Sequence, residues 1–182
     1  MALPFPQSMT FAAAFALAAC ATEMIDRVVP SVEERNDWYQ IQSGHIQLGG
    51  RFFGFALQLY PGTHLSSGLP SGPLIISLDV AVLSEDRFEL DPTQTTLQIG
   101  TQTYSGRGET CSVSGSRGSE PLLQPKVLAK RDCVRLVFDA PNPHQWKHAQ
   151  LTISGLKRNA VALEVPIINL ELKKVPKPGS FV

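Results

Sequence analysis

The stretch KRDCVRLVFDAP, residues 130–141, decides the class of fold. From 133 to 138 its side chains fall into two alternating sets, of which the second is entirely apolar. The sets are Cys133, Arg135 and Val137 on one side, and Val134, Leu136 and Phe138 on the other. A period of two is typical of a β-strand that packs one face against a core. The stretch therefore predicts a half-buried strand.

Similar short runs lie on both sides of this strand, and turn-forming segments such as PGTHLSSGLPSGP (61–73) separate them. The runs are RFFGFALQLY (51–60), PLIISLDVAVLS (73–84), TTLQIGTQTYSG (95–106), AQLTISGL (149–156) and VALEVPIINLELKK (161–174). The last two flank KRNA (157–160), which predicts two strands around a tight turn. The 14 Gly and 14 Pro also favour a turn-rich all-β fold over a helical bundle.

These patterns predict an antiparallel, immunoglobulin-like β-sandwich. A β-barrel of the lipocalin type is the alternative, and it requires a longer and more even series of strands. The segments CVRLVFDAP (133–141) and LTISGLKRNAVALEVPIINLEL (151–172) resemble the final strands of immunoglobulin-like domains in uncharacterised bacterial lipoproteins. That resemblance implies a fold and carries no functional residue.

A short apolar run, Met9–Ala19, leads into the stretch Leu17-Ala18-Ala19-Cys20. The run has the length of a secretory signal core and is too short to span a bilayer comfortably. LAAC resembles the lipobox of bacterial lipoproteins, in which small residues admit the peptidase and the cysteine sulfur attacks the lipid donor. No Lys or Arg precedes the run. The alternative is therefore a mildly apolar N-terminus with a chance cysteine.

The lipobox resemblance implies cleavage before Cys20, a diacylglyceryl thioether on its sulfur and an acyl chain such as palmitate on its amino group. Each buried methylene contributes about 0.8 kcal/mol, so two or three chains would hold the protein on the membrane. Ala21 follows the cysteine where an Asp would favour the inner membrane. The resemblance thus implies an outer-membrane lipoprotein that faces the periplasm.

Cys111 and Cys133 remain when Cys20 is lipidated. Two cysteines in an oxidising periplasm pair readily, so we predict a disulfide between them. Two separate buried thiols are the alternative. No histidine lies near either cysteine in sequence and no CxxC spacing occurs, so no catalytic thiol is predicted.

The predicted organisation has four parts. They are a signal peptide (1–19), a tether (20–44), the β-sandwich domain (45–174) and a frayed tail (175–182). A short helix is the alternative within the tether, because Ser31 as N-cap and Glu34 three residues later form a capping box.

Two patterns have the side chains of a metal site. His144 and His148 are four residues apart, but Pro141 and Pro143 precede them, so we predict a solvated connection with Trp146 as a lid on the sandwich edge. A group of carboxylates lacks the glycine of a calcium loop and predicts a solvated turn. These carboxylates are Glu85, Asp86, Glu89 and Asp91. No metal and no cofactor is predicted.

Two glycine-containing segments, around Gly106 and Gly118, carry Arg107 and Arg117. A phosphate cradle needs a strand before it and a helix after it, so we predict flexible surface loops. If the domain binds an anion, these arginines are the side chains to test.

Ser154 and Lys157 match the S-x-x-K pattern of penicillin-recognising enzymes. That chemistry places the serine at the start of a helix, whereas here it ends a predicted strand, so no catalysis is predicted. An enzyme would require His144 or His148 to meet a serine or carboxylate in a cleft.

The charges balance at 16 Lys and Arg against 16 Asp and Glu, so no net field favours nucleic acid or an anionic membrane surface. The first hypothesis is a non-enzymatic envelope lipoprotein that binds a protein through a sheet edge or end loops. The alternative is a small-ligand carrier or sensor with a pocket lined by Phe55, Leu57 and Val80. The aromatic cluster to which Phe55 belongs is otherwise predicted to fill the core. Its other members are Phe52, Phe53 and Tyr60.

Overall fold

A computed structural model describes residues 24–32, 39–42, 45–50, 55–62, 73–111 and 119–176. Within these ranges the chain forms strands and two short 3-10 turns, Pro92–Gln94 and Pro143–Gln145. Every pair of neighbouring strands is antiparallel. The prediction of an all-β, antiparallel fold is confirmed, and the sheets are compatible with a β-sandwich.

The strands follow the chain in this order. They are β1 (Met24–Val32), β2 (Tyr39–Gln42), β3 (His45–Gly50), β4 (Phe55–Gly62), β5 (Leu74–Val82), β6 (Phe88–Leu90), β7 (Thr95–Ile99), β8 (Gln102–Ser105), β9 (Arg107–Thr110), β10 (Pro121–Leu122), β11 (Lys126–Val127), β12 (Arg131–Phe138), β13 (His148–Ile153), β14 (Leu156–Arg158), β15 (Val161–Ala162) and β16 (Ile168–Pro176).

Three sheets contain these strands. A five-stranded sheet has the order β1-β16-β13-β7-β8, and a seven-stranded sheet has the order β10-β9-β12-β5-β4-β3-β2. A four-stranded sheet of short strands has the order β11-β6-β14-β15. β1 and β8 are the edges of the five-stranded sheet, and β12 lies inside the seven-stranded one.

One hydrophobic core joins the three sheets. In β5 the buried residues alternate with half-buried ones, and Leu78 lies opposite Leu59 of β4 and Val134 of β12. Val28 of β1 and Phe88 of β6 belong to the same core. The alternation follows from the pleat, which sends successive side chains to opposite faces. Burial of each such Leu, Val or Phe contributes about 1.5–3 kcal/mol.

The strand predicted from residues 130–141 is β12. Its apolar set lies in the core, with Val134, Leu136 and Phe138 all fully buried. The opposite set is half-buried at Arg135 but buried at Cys133 and Val137, so β12 is buried on more than the one face predicted. The predicted strand and its core face are therefore confirmed, and the half-exposed second face is not.

The range predicted as a tether, 20–44, contains two strands. β1 starts at Met24 and pairs with β16 over its whole length, and β2 occupies 39–42. Ser31, predicted as an N-cap, lies in β1 opposite Asn169. The sheet ladder satisfies its backbone groups better than a local cap could. Glu34, the other half of the capping box, lies outside the described residues.

The KRNA turn joins different strands from those predicted. It connects the short strands β14 and β15, which form a hairpin of the four-stranded sheet. The long strands β13 and β16 do pair with each other, but in the five-stranded sheet. The β14–β15 hairpin is thus inserted in the chain between β13 and β16, which are neighbours in the five-stranded sheet. The apolar runs in the sequence did not indicate that the chain leaves this sheet and returns to it.

Gly106 does not lie in a flexible loop, as the sequence predicted. It is a buried residue between β8 and β9, and a Cβ added to it would lie 2.2 Å from Oγ1 of Thr95. Its N–H donates to the Thr95 carbonyl at 2.8 Å. The glycine is therefore a close-packing site, and Gly118 of the second predicted loop lies outside the described residues.

Candidate binding surface

The outer face of the five-stranded sheet carries a row of polar side chains that crosses all five strands. Strand register places them side by side in the order Ser31, Asn169, Gln150, Gln98 and Thr103. Gln150 donates through Nε2 to Oδ1 of Asn169 at 3.2 Å. We call these five residues the polar row. The row forms because every second residue of each strand faces away from the core. Residues on that face need not be apolar.

An open groove of about 500 Å³ lies over part of this row. Its lining combines four of the five residues of the polar row with neighbours one or two positions away in the chain. The lining residues are Ser31, Gln98, Gly100, His148, Ala149, Gln150, Asn169, Leu170 and Glu171. The buried Ala149 and Leu170 belong to the core, so the groove has a rigid floor and a hydrogen-bonding surface.

One end of the groove is charged. Nδ1 of His148 lies 3.8 Å from Oε1 of Glu171, and Nζ of Lys173 pairs with Oε2 of the same carboxylate. The hydrogen bond from Lys173 lowers the pKa of Glu171, burial opposes that shift, and the charges of Lys173 and His148 add to the lowering. Glu171 is therefore ionised over the physiological pH range.

The chemistry of the groove suits recognition by hydrogen bonds. Amide side chains supply both donors and acceptors, and Ser and Thr hydroxyls do the same. Such a surface can bind an extended polar segment or the polar rim of a protein, with water in the contact. The enzyme alternative required a histidine to meet a serine or carboxylate in a cleft. The groove lining contains His148 of β13 and one serine, Ser31 of β1.

The outer face of the seven-stranded sheet carries the disulfide. Cys111, directly after β9, bonds to Cys133 of β12, with the two Cα atoms 5.2 Å apart. The Cys111 N–H also donates to the Cys133 carbonyl at 3.4 Å. The predicted disulfide is present in the structure, and it links neighbouring strands of one sheet. Asp79 lies opposite Cys133 on the same face, and burial raises the pKa of its carboxyl.

The two predicted histidines are not brought together on a helix. His144 is exposed in the second 3-10 turn, and His148 is the exposed first residue of β13. Trp146 between them is buried, and its Nε1 donates to the Pro141 carbonyl at 3.0 Å. In the part of the chain that the structure describes, no three His, Cys, Asp or Glu side chains form a group that could hold a metal ion.

The four predicted carboxylates diverge. Asp86 pairs with Arg158 and accepts from Nδ2 of Asn159 at 2.8 Å. Glu89 pairs with Arg87 at 2.7 Å. Asp91 is the N-cap of the first 3-10 turn, and Glu85 is exposed before β6. These carboxylates make separate contacts in and around β6 and do not converge on one site.

The remaining sequence motifs are dispersed. Ser154 is exposed after β13 and Lys157 lies in β14, so no helix joins them. Arg107 starts β9 and pairs with Asp139. Arg117 lies outside the described residues, as do Phe52 and Phe53; Tyr60 is placed in β4, but its side chain is not described.

The residues proposed to line an internal pocket fill the core instead. Phe55, Leu57 and Val80 are at most 3% exposed and belong to the single core cluster. The Phe55 ring lies 5.2 Å from that of Phe88, centroid to centroid. Nothing about these side chains favours an enclosed ligand.

The predicted anchor cannot be located, since Cys20 lies outside the described residues. No helix in the described ranges is long and apolar enough to cross a membrane. Sequence reasoning missed the polar row because its members come from five separate strands. The only signal was polar alternation within each strand, and the register that aligns the strands depends on the whole sheet.

Comparison with known proteins gives no relative. No family model, no curated protein and no solved structure matches the chain.

Proposed function

We propose that this protein is a lipid-anchored envelope protein of the periplasm that binds a protein partner through the polar row. The observation that carries the proposal is the stretch Leu17-Ala18-Ala19-Cys20, which ends just ahead of a folded β domain that starts at Met24. Ala21 after the cysteine supports the outer membrane as the site of the anchor.

The disulfide supports an extracytoplasmic compartment. Disulfides persist in oxidising compartments such as the periplasm and are rare in the cytosol. The bond between Cys111 and Cys133 lies within the folded sheet and fits such an environment. This argument is independent of the N-terminal motif.

A binding or scaffolding role is favoured over that of a ligand carrier. The core side chains Phe55, Leu57 and Val80 are packed against their neighbours, whereas the groove is open and polar. Interfaces of non-obligate complexes are polar at the rim and contain bridging water, which matches the side chains of the groove.

The anchor is tested by the intact mass of the protein extracted from membranes of its native cells, with fragmentation of its N-terminus. We expect a chain that starts at Cys20 and carries diacylglycerol and acyl mass. We also expect Cys20→Ala to abolish sedimentation with membranes. A chain that starts at Met1 without lipid, or unchanged sedimentation of the variant, would contradict the anchor.

The binding surface is tested separately by site-specific photocrosslinking in cells. A photoreactive residue at Gln150, in the centre of the polar row, should yield a discrete crosslinked protein. The matched control is Lys130, which is also exposed but lies next to the seven-stranded sheet. Equal crosslinking from both positions would show that the row is not the binding surface.

A further inference from the structure

One end of the five-stranded sheet is a two-stranded ribbon. β13 pairs with β16 only from Ile168 to Glu171, whereas β1 pairs with β16 as far as Pro176. Residues 24–28 and 172–176 therefore extend beyond the third strand. We call these ten residues the anchor ribbon.

The anchor ribbon is the part of the fold nearest to Cys20 in the chain. Only residues 21–23 separate Cys20 from Met24. Four residue steps of extended chain span at most about 14 Å between the two Cα atoms. This distance is about half the length of β1, whose nine residues span about 30 Å.

The anchor ribbon is also positively charged in a chain without net charge. It carries Arg27, Lys173 and Lys174 against the single acid Asp26. Arg27 lies directly opposite Lys173, which pairs with Glu171, and Lys174 lies opposite Asp26. Both lysines are exposed. Even with Glu171 counted, this end of the sheet carries three basic residues against two acids, a net positive charge that suits an anionic surface. Met24, at the tip, is an apolar side chain that is 51% exposed.

We infer that the anchor ribbon docks on the phosphate head groups of the membrane that holds Cys20, so that the five-stranded sheet stands on end. The inference rests on the proposed lipid anchor. Lysines near an anionic lipid surface are attracted to it, and a short connection keeps them within reach. The exposed methionine at the tip would contact the boundary between head groups and acyl chains.

This orientation ranks three exposed positions by height above the membrane. Lys174 lies on the anchor ribbon, Gln150 lies in the middle of the sheet, and Ser154 follows the far end of β13. Counted along the strands, Lys174 and Ser154 are about 30 Å apart. The groove then opens sideways, parallel to the bilayer.

The test uses the lipidated full chain with one introduced cysteine, Lys174→Cys, Gln150→Cys or Ser154→Cys. Cys111 and Cys133 are paired, so the introduced thiol is the one to be labelled with a fluorophore. Each protein is reconstituted in vesicles of phosphatidylethanolamine and phosphatidylglycerol that contain a nitroxide quencher on the head group. We expect quenching to decrease several-fold from Lys174 to Gln150 and further to Ser154.

Charge dependence is tested with Lys173→Gln and Lys174→Gln together, labelled at Gln150→Cys and Ser154→Cys. The matched control is Lys130→Gln with Arg131→Gln, another exposed pair of adjacent basic residues. In the ribbon variant (Lys173→Gln with Lys174→Gln) we expect the ratio of membrane-docked to undocked domains, read from the quenching at both labels, to fall about tenfold. The control variant should behave as the parent protein in the same vesicles.

Failure of the membrane docking can be distinguished from failure of the lipid anchor at Cys20. Gln150 quenched as strongly as Lys174, or equal effects of the two charge variants, would overturn the docking while the intact mass still shows lipid. A mass without lipid would overturn both. Circular dichroism of each variant guards against loss of the fold.

Discussion

Gly155 lies against the backbone of Asp91, so closely that a Cβ on the glycine would be 2.1 Å from the Asp91 carbonyl oxygen. The Asp91 N–H donates to the Gly155 carbonyl at 3.0 Å, which locks the two backbones together. Asp91 in turn caps the turn Pro92–Gln94 through a bond from the Thr93 N–H at 3.1 Å. This contact joins the link between β6 and β7 to the link between β13 and β14.

We expect Gly155→Ala to lower the free energy of unfolding by about 2–3 kcal/mol, because overpacking against a backbone atom cannot be relieved by a side-chain rotation. Urea denaturation followed by tryptophan fluorescence measures the change. Ser154→Ala, at the exposed neighbouring position, is the control and should stay within about 0.5 kcal/mol. An alanine tolerated at both positions would show that the two backbones can separate freely.

Ala160 has a backbone conformation that favours glycine. It and Asn159 form the two-residue turn between β14 and β15, with φ values of 67° and 49°. Positive φ at both positions is the pattern of a type I′ hairpin turn, for which Asn-Gly is preferred. Ala160→Gly should therefore raise the free energy of unfolding by about 1 kcal/mol.

Thermal unfolding by calorimetry can check this gain. Ala162→Gly, in the adjacent strand, is the control and should lower stability, because glycine weakens a strand. If both glycines destabilise the protein to the same extent, the positive φ at 160 is not a constraint of the native turn.

The stability of the loop before β6 should depend on pH through Asp86. Hydrogen bonds from Asn159, Arg158 and Ser84 lower the pKa of this carboxyl from its ordinary value of 3.8. A lowered pKa in the folded state means that the carboxylate stabilises the fold fully above pH 3.8. That contribution is lost as the pH falls below this value.

We therefore expect Asp86→Asn to be less stable than the parent protein at pH 7. The difference should shrink towards about pH 2.5, which lies below the ordinary pKa of an Asp carboxyl. Guanidinium denaturation at both pH values measures it. Glu85→Gln, which changes the exposed neighbouring side chain, is the matched control. A difference that does not change with pH would assign the loss to packing rather than to charge.

The disulfide should account for a large share of the stability of the seven-stranded sheet. It links residues 22 positions apart, and closing a loop of this length restricts the unfolded chain by about 3 kcal/mol in the chain-entropy model. We expect Cys111→Ser with Cys133→Ser to lower the free energy of unfolding by that amount. Reductant should destabilise the parent and leave the double variant unchanged.

The sequence allowed prediction of elements whose pattern is local. β5 alternates buried and half-buried residues over most of its length, and β12 has an alternating core set, so their period is visible without a partner. β1 was missed because Pro30 and the charges at 26 and 27 obscure its pattern. A proline is tolerated there because β1 is an edge strand, with a neighbour on one side only.

The candidate site was less predictable than the fold. Gln98, Gln150 and Asn169 are unremarkable within their own strands, and only the register of β7, β13 and β16 aligns them. Register depends on the complete hydrophobic pattern of all strands together and on the turns between them. The inserted hairpin at Asn159 changes sheets between β13 and β16, which no local pattern could indicate.

The pairing of β1 with β16 also determines when the domain can finish folding. The first and last strands of the described chain are neighbours, with Met24 opposite Pro176. During synthesis β1 therefore stays unpaired until β16, the last strand of the described residues, is available. Non-local strand pairing is slow and leaves apolar residues exposed in the meantime, and Val28 is one of them. Residues of β1 that end in the core, Val28 among them, are therefore exposed to aggregation and to chaperones until β16 pairs with them.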